Sequence, residues 1–251
     1  MSSFLVLWDV DFTLVSTPGV GRHLYQLAFA ELYGRDLPLA ASGAGMAGRT
    51  DRAIALEVLA LAGVPDPRGQ VSQFESALSR LAPAVAEMVA ATGKALPGAA
   101  EALAALAGLA APRVRQSLLT GNVRALALAK LAPLGLVTHL DLDVGAYGNE
   151  HEVRAELVDL ARDRAAAAYG ADFGGLATIL VGDTPLDVAA ALTTGARAVG
   201  VATGEFSARE LAAAGAHAVL PDLAGTAQLL AAVLGDEQRS GAAGSYQPRP
   251  A

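Results

Sequence analysis

From about residue 114 onward the chain alternates short apolar runs with helix-period segments, and this alternation constrains the fold more than any other feature. VRQSLL precedes TGN and a helix from 123, and LDLDV (140–144) precedes a helix from 151. ATILV precedes GDTPLD and another helix, ARAVGVA precedes a helix from 207, and AHAVL (216–220) precedes a last helix over 223–234. Repeated strand–helix units imply a parallel sheet with right-handed crossovers and helices on both faces. FLVLW at 4–8 reads as one more buried strand, apolar throughout and closed by polar residues. The expected class is α/β, a Rossmann-like parallel sheet.

Residues 17–93 break that rhythm. After Pro18 and Gly19 a helix-period segment, GRHLYQLAFAELYG, ends at Gly34 as a C-cap. The stretch 35–92 is almost entirely helical in pattern, interrupted at PLAASGAGMAG and GVPDPRG. KALPGAAEALAAL (94–106) reads as a hinge and a returning helix. The expected organisation is therefore a core of residues 1–16 and 94–235 with an all-helical insert over 17–93. The Gly- and Pro-rich tail 236–251 is expected to be disordered.

Composition narrows the function classes. The chain has 251 residues, 53% hydrophobic and 17% charged, which suits a globular protein. No run approaches the roughly 18 uninterrupted apolar residues of a membrane span. Cysteine is absent, which removes disulfides, thiolate nucleophiles and Cys-ligated zinc together. The net charge of −7 argues against a nucleic-acid surface. No basic segment precedes the first apolar run, so no signal peptide is expected, and a cytoplasmic location follows. Neither a membrane nor a nucleic acid is an expected partner, and the oligomeric state cannot be read.

Chemistry collects where three apolar runs end: FLVLW in DVDFT, SLL in TGN and TILV in GDTPLD. Ligands of open parallel sheets bind at the carboxyl ends of the strands, so these signatures should converge. They bring Asp9, Asp11, Asp183 and Asp187 together, the last two spaced i, i+4. Four carboxylates crowd a crevice only if a cation neutralises them or some stay protonated. With oxygen ligands alone, a hard ion such as magnesium (Mg2+) is favoured over zinc. Thr120, Gly121 and Asn122 offer a hydroxyl, a close backbone approach and an amide at a helix N-terminus, which suits an anionic ligand.

At this point the chain resembles the haloacid dehalogenase superfamily in its phosphatase branch. DVDFT matches the first motif, LLTGN the second and GDTPLD the fourth, with a helical cap after the first and PGAAEAL at the return. The resemblance implies that Asp9 is a nucleophile forming an aspartyl-phosphate. Asp11 would be the acid for the leaving alcohol and then the base for water, kept protonated by its negative neighbours. Asp9, Asp183 and the Asp11 carbonyl would hold magnesium, with Asp187 nearby or bound through water. Thr120 and the Gly121 amide would hold the phosphoryl group, and Thr13 would fix the loop or that group.

The third motif of that family is a Lys or Arg, and no lysine occurs between 131 and 183. Arg154 is the choice for it, opening a helix after GAYGNEHE, with a solvated helix residue as the plain alternative. Asp187 has a rival reading as a first-turn acid favoured by the helix dipole. Arg49, in SGAGMAGRTD, would reach the substrate or stay at the surface, and Thr50 would cap the next helix. The G43-x-G45-x-x-G48 pattern there follows no strand and is rejected as a dinucleotide site. His151-Glu152 fails the zinc pattern HExxH, and Trp8 should be core. Phe12 departs from the Gly usual in that family. Phe tolerates positive φ poorly, so residue 12 should have negative φ, its ring forming a wall of the leaving-group pocket.

The function implied is a magnesium-dependent phosphomonoester hydrolase acting on a small phosphorylated metabolite. The rivals are a phosphomutase of the same fold and a binding protein that retains the site without turnover.

Overall fold

In the computed structural model, residues 3–17, 19–42, 45–109 and 114–235 are described; the tail beyond 235 and Gly43 of the glycine-rich loop lie outside them. The strands are β1 (Phe4–Trp8), β2 (Val15–Ser16), β3 (Lys94–Ala95), β4 (Val114–Thr120), β5 (Ala146–Tyr147), β6 (Thr178–Gly182), β7 (Arg197–Val201) and β8 (Ala218–Leu220). The helices are α1 (Val20–Tyr33), α2 (Leu39–Ser42), α3 (Asp51–Leu61), α4 (Pro67–Arg80), α5 (Ala82–Thr92) and α6 (Ala99–Ala107). They continue as α7 (Arg124–Leu131), α8 (Arg154–Tyr169), α9 (Pro185–Thr193), α10 (Ala208–Ala213) and α11 (Thr226–Leu234).

Six strands form one parallel sheet in the order β5-β4-β1-β6-β7-β8. The chain lays β4 on one side of β1 and β6 on the other, so the order reverses at β1. Crevices form at the carboxyl ends of strands at such a switch point.

Alternation along β1 divides the core. Phe4, Val6 and Trp8 face one side, packing with Leu103 and Leu106 of α6, Ala127 and Leu131 of α7 and Leu229 and Val233 of α11. Leu5 and Leu7 face the other, packing with Leu157 and Val158 of α8, Val188 of α9 and Leu211 of α10. A period of two places successive side chains on opposite faces, and burial on both faces explains why β1 carries no polar residue. Each such buried side chain contributes about 1.5–3 kcal/mol relative to exposure.

The helices between β2 and β3 gather around a separate core, with Phe29 of α1, Leu59 of α3, Phe74 of α4 and Val85 of α5 fully buried. Val123, Leu126 and Ala129, in and just before α7, join that cluster. Helix α7 therefore lies between the sheet and the inserted helices. β2 and β3 pair antiparallel, so chain leaving and chain returning form one two-stranded ribbon. The hinge expected at KALPG is half of that ribbon.

The expected strand at 140–144 is not one. That stretch is turn, and the edge strand is β5, two residues later, paired with Leu119 and Thr120. The Asp141 side chain accepts from the Asp143 backbone N–H, and the Ser117 hydroxyl holds the Asp141 carbonyl. An aspartate that bonds two residues ahead makes a turn, and this local bond wins over the period-two pattern of LDLDV. Among the described residues no helix is long and apolar enough to cross a membrane.

Candidate active site

Strand β1 ends where its apolar run ends, and Asp9 follows it, its N–H bonded to the Val181 carbonyl of β6 at 2.9 Å. Asp183 follows β6 and Asp187 sits in the first turn of α9, so one crevice receives all three acids. They are buried, and one oxygen from each lies within 4.8 Å of the others. Burial pushes the Asp9 carboxyl up to about 7, against the pull of Arg154. Burial and then the charge of Asp9 push Asp183 up to about 8.

Arg154 opens α8 and is buried. Its Nη2 donates to Asp9 Oδ1 at 2.6 Å and to the Leu119 carbonyl at 3.2 Å. Its Nη1 donates to the carbonyl of Gly48, in the inserted segment, at 3.3 Å. The same Nη2 lies 2.5 Å from Asp187 Oδ1, a charge contact without hydrogen-bond geometry. Asp187 Oδ1 is consequently a buried oxygen with no hydrogen-bond partner among the described residues. Its other oxygen accepts from the Thr184 backbone and hydroxyl in a capping box. The plain helix-cap reading of Asp187 and its place in the acidic cluster are both present.

Asp11 stands outside that cluster. Its carboxylate accepts from Lys130 Nζ at 2.8 and 2.7 Å, from Asn122 Nδ2 at 2.7 Å and from the Thr17 hydroxyl at 3.0 Å. Burial would raise its pKa, yet the Lys130 ammonium and these hydrogen bonds outweigh burial and hold Asp11 below the usual carboxylate range. The expectation that negative neighbours keep Asp11 protonated is thereby corrected.

These groups open into a cavity of about 500 Å³ between the sheet and the inserted helices. Its walls combine Asp9, Asp11, Asp183 and Arg154 with Phe12, Tyr25 and Ile54. The inserted segment is tied down beside it. The Asp51 N–H donates to the Gly121 carbonyl at 2.6 Å, Asp51 Oδ2 accepts from the Val123 N–H at 2.7 Å, and the Arg52 N–H donates to the Gly148 carbonyl at 2.9 Å. Thr50 caps α3 as expected and also donates to the Glu152 carbonyl at 3.0 Å.

The sequence profile of the haloacid dehalogenase-like hydrolases matches residues 6–192, from β1 through the motif that carries Asp183 and Asp187. The chain is a haloacid dehalogenase-like hydrolase. Among similar solved structures is a hydrolase from Pseudomonas syringae, 22% identical, covering 89% of this chain and 95% of its own, with a TM-score of 0.59. Another is an archaeal beta-phosphoglucomutase from Pyrococcus sp. strain ST 04, 19% identical, covering 92% of this chain and 99% of its own, with a TM-score of 0.56. No curated protein matches the chain.

Within this hydrolase the residues singled out from the sequence take distinct places. Asp9, Asp11, Asp183, Asp187 and Arg154 come together as described. Thr13 is fully buried and its hydroxyl donates to Asp183 Oδ1 at 3.4 Å. Thr120 is buried, and its oxygen accepts from the Asn122 N–H and side-chain amide. Neither Thr13 nor Thr120 lines the cavity, whereas Gly121 and Asn122 do. A Cβ on Gly121 would run into the Arg49 carbonyl, so this glycine admits the inserted backbone. Arg49 lines the cavity, but its guanidinium is held by Glu57 at 2.6 Å and by the Gly45 carbonyl at 2.9 Å.

Phe12 contradicts the expected backbone: its φ is +56°. The turn after Asp9 is over-determined, with the Val10 carbonyl accepting from Thr13, Leu14 and Val15 and the Phe12 N–H bonded to the Val15 carbonyl. The Thr203 hydroxyl also holds the Phe12 carbonyl at 2.5 Å. Surrounding bonds of this kind maintain a left-handed residue despite its intrinsic cost of about 1–2 kcal/mol. The ring does line the cavity.

Lys130 lies just before the stretch 131–183 in which the cation of the third motif is expected. A signal was present: Lys130 recurs at i+4 from Leu126 on a helix whose residues 125–129 are all apolar, a position that periodicity marks as buried.

A cation fits the acidic cluster. Among the described residues Asp187 Oδ1 has only its charge contact with Arg154, the Asp9 carboxyl is pushed up by burial and by Asp187, that of Asp183 by burial and by Asp9 and Asp187, and the set is all oxygen. Oxygen-only sets suit a hard ion such as magnesium.

Proposed function

We propose that this hydrolase cleaves phosphomonoesters of a small phosphorylated metabolite through an aspartyl-phosphate on Asp9, with magnesium bound. The observation that carries the reading is the separation of two acids by environment. Asp9 is paired with Arg154 beside two further carboxylates, while Asp11 is paired with Lys130 and Asn122. Two carboxyls in such different surroundings take different roles in one reaction, and a cation bound in the cluster would favour the ionised, nucleophilic form of Asp9.

Asp9 attacks phosphorus, oriented by Arg154, whose charge also offsets that of the incoming phosphoryl group. Asp11 first serves the leaving oxygen. The phosphoryl dianion entering beside it raises its affinity for a proton, since a like charge disfavours the ionised form. It then takes a proton from the water that hydrolyses the intermediate. The carboxylates of Asp9 and Asp183 and the Asp11 carbonyl would hold a magnesium ion, with Asp187 close by, and the ion would neutralise charge on the phosphoryl oxygens. The inserted helices act as a cap that excludes bulk water and chooses the leaving group through Phe12 and its neighbours. Arg49, if released from Glu57, adds a cation to that pocket.

A phosphomutase would use the same two acids, and structural neighbours carry that name. The readings separate by the fate of the phosphoryl group, to water in one case and back to a sugar phosphate in the other. The test is hydrolysis of an aryl phosphate with and without magnesium by wild type, Asp9→Asn and Asp11→Asn. Turnover should require magnesium, vanish in Asp9→Asn and fall by about 10²–10⁴-fold in Asp11→Asn. Activity surviving Asp9→Asn excludes the covalent route.

A further inference from the structure

Of the two buried cations among the described residues, Arg154 is paired with Asp9 and Lys130 has no part in the chemistry above. Lys130 is 3% exposed on α7, between the sheet core and the inserted helices. Its ammonium bonds to both Asp11 oxygens and to Asn122 Oδ1, the last at 2.7 Å. Three acceptors face its three hydrogens. Asn122, so fixed, turns its amide onto Asp11 Oδ2. A lysine kept for packing alone sends its head to solvent along an apolar wall; this one brings it inward to a single carboxylate. Arg154 already serves Asp9, so each acid has its own buried cation.

We propose that Lys130 is a positioning residue for the leaving-group step: with Asn122 it fixes the Asp11 carboxyl at the cavity wall, apart from the carboxylate cluster of Asp9. The inference rests on the roles proposed above for Asp9 and Asp11. In that step the Asp9 oxygen bonds to phosphorus as the bond from phosphorus to the ester oxygen breaks. The electron pair stays on that oxygen, which takes the Asp11 proton. Water then attacks phosphorus, its proton returns to Asp11, and the bond from phosphorus to Asp9 breaks. Lys130 makes and breaks no covalent bond in either step. Its contribution is to hold the carboxyl in one rotamer facing the departing oxygen, while its charge opposes the proton uptake by Asp11 that the incoming phosphoryl dianion must drive.

A leaving-group series tests this, with magnesium present and kcat/KM as the readout because it reports phosphoryl transfer to the enzyme. 4-Nitrophenyl phosphate needs little help from an acid, whereas phenyl and propyl phosphates need much. Lys130→Met should lower kcat/KM by about 100-fold for the poor leaving groups and by no more than about threefold for 4-nitrophenyl phosphate. Equal losses across the series, or none, would overturn the proposal. If removing the cation alone prevents folding, the paired change Asp11→Asn with Lys130→Met removes both charges. Because contacting residues that act through one another are non-additive, the double variant should match Asp11→Asn within about threefold. A further tenfold loss would show that Lys130 acts independently of Asp11. Failure of the wild type to turn over any ester would remove the phosphatase reading and this inference together.

Discussion

Asp9 and Asp11 are two residues apart in sequence and occupy opposite electrostatic settings, one raised by burial and one lowered by an ammonium. DVD already shows two acids at a strand end; it does not show which cation each meets, because those cations come from α8 and α7. The burial of Lys130 was legible in the periodicity of α7; its pairing with Asp11 was not. Phe12 shows a second limit. Its residue type argues for negative φ, and the turn imposes positive φ through bonds from Val15 and Thr203 that no local pattern reveals. Phe12→Gly should therefore change stability little, within about 1 kcal/mol by thermal melting, because relief of the left-handed strain offsets lost ring contacts. The same variant should shift relative kcat/KM among phosphate esters while leaving magnesium affinity unchanged. Weakened magnesium binding with unchanged preference would place the ring wrongly.

At the scale of elements, the strands that end in motifs were legible because β1 and β6 are buried on both faces and read as unbroken apolar runs. β5 was missed because it is two residues long and lies at an edge, so pairing with β4 decides it more than its own sequence. The approach of the inserted segment to the second motif was also hidden, since it depends on backbone contacts between distant residues. Gly121 is where this approach is tightest. Gly121→Ala should push the Arg49 segment outward and break the hydrogen bond between the Asp51 N–H and the Gly121 carbonyl. The expected result is a drop in melting temperature together with faster amide exchange at Asp51 and Arg52, both measurable without substrate. Unchanged exchange there would contradict the close approach.

For the molecule as a whole, a sheet core and an inserted helical layer enclose a cavity whose wall includes the buried carboxyls of Asp9 and Asp183. The pKa directions give this a pH signature. Asp9 and Asp183 are raised in the folded chain to about 7 and about 8, from 3.8. The folded state therefore binds more protons than the unfolded state between those values, and metal-free stability falls as pH rises toward 8. Asp11, lowered instead, is ionised in both states over the upper part of that range and does not oppose the trend. Magnesium requires the ionised carboxylates, so the rise in melting temperature it causes should be larger at pH 8 than at pH 5.5. A larger rise at the lower pH would contradict the assignment of the site. The central claim, a phosphoryl group carried on Asp9, is tested most directly by acid-quenching the Asp11→Asn variant during turnover of 4-nitrophenyl phosphate. Such a variant forms the intermediate from a good leaving group but lacks the base that hydrolyses it. Peptide mass analysis should then find one phosphoryl group, on Asp9; 4-nitrophenol release with that group on another residue, or on none, would contradict the account.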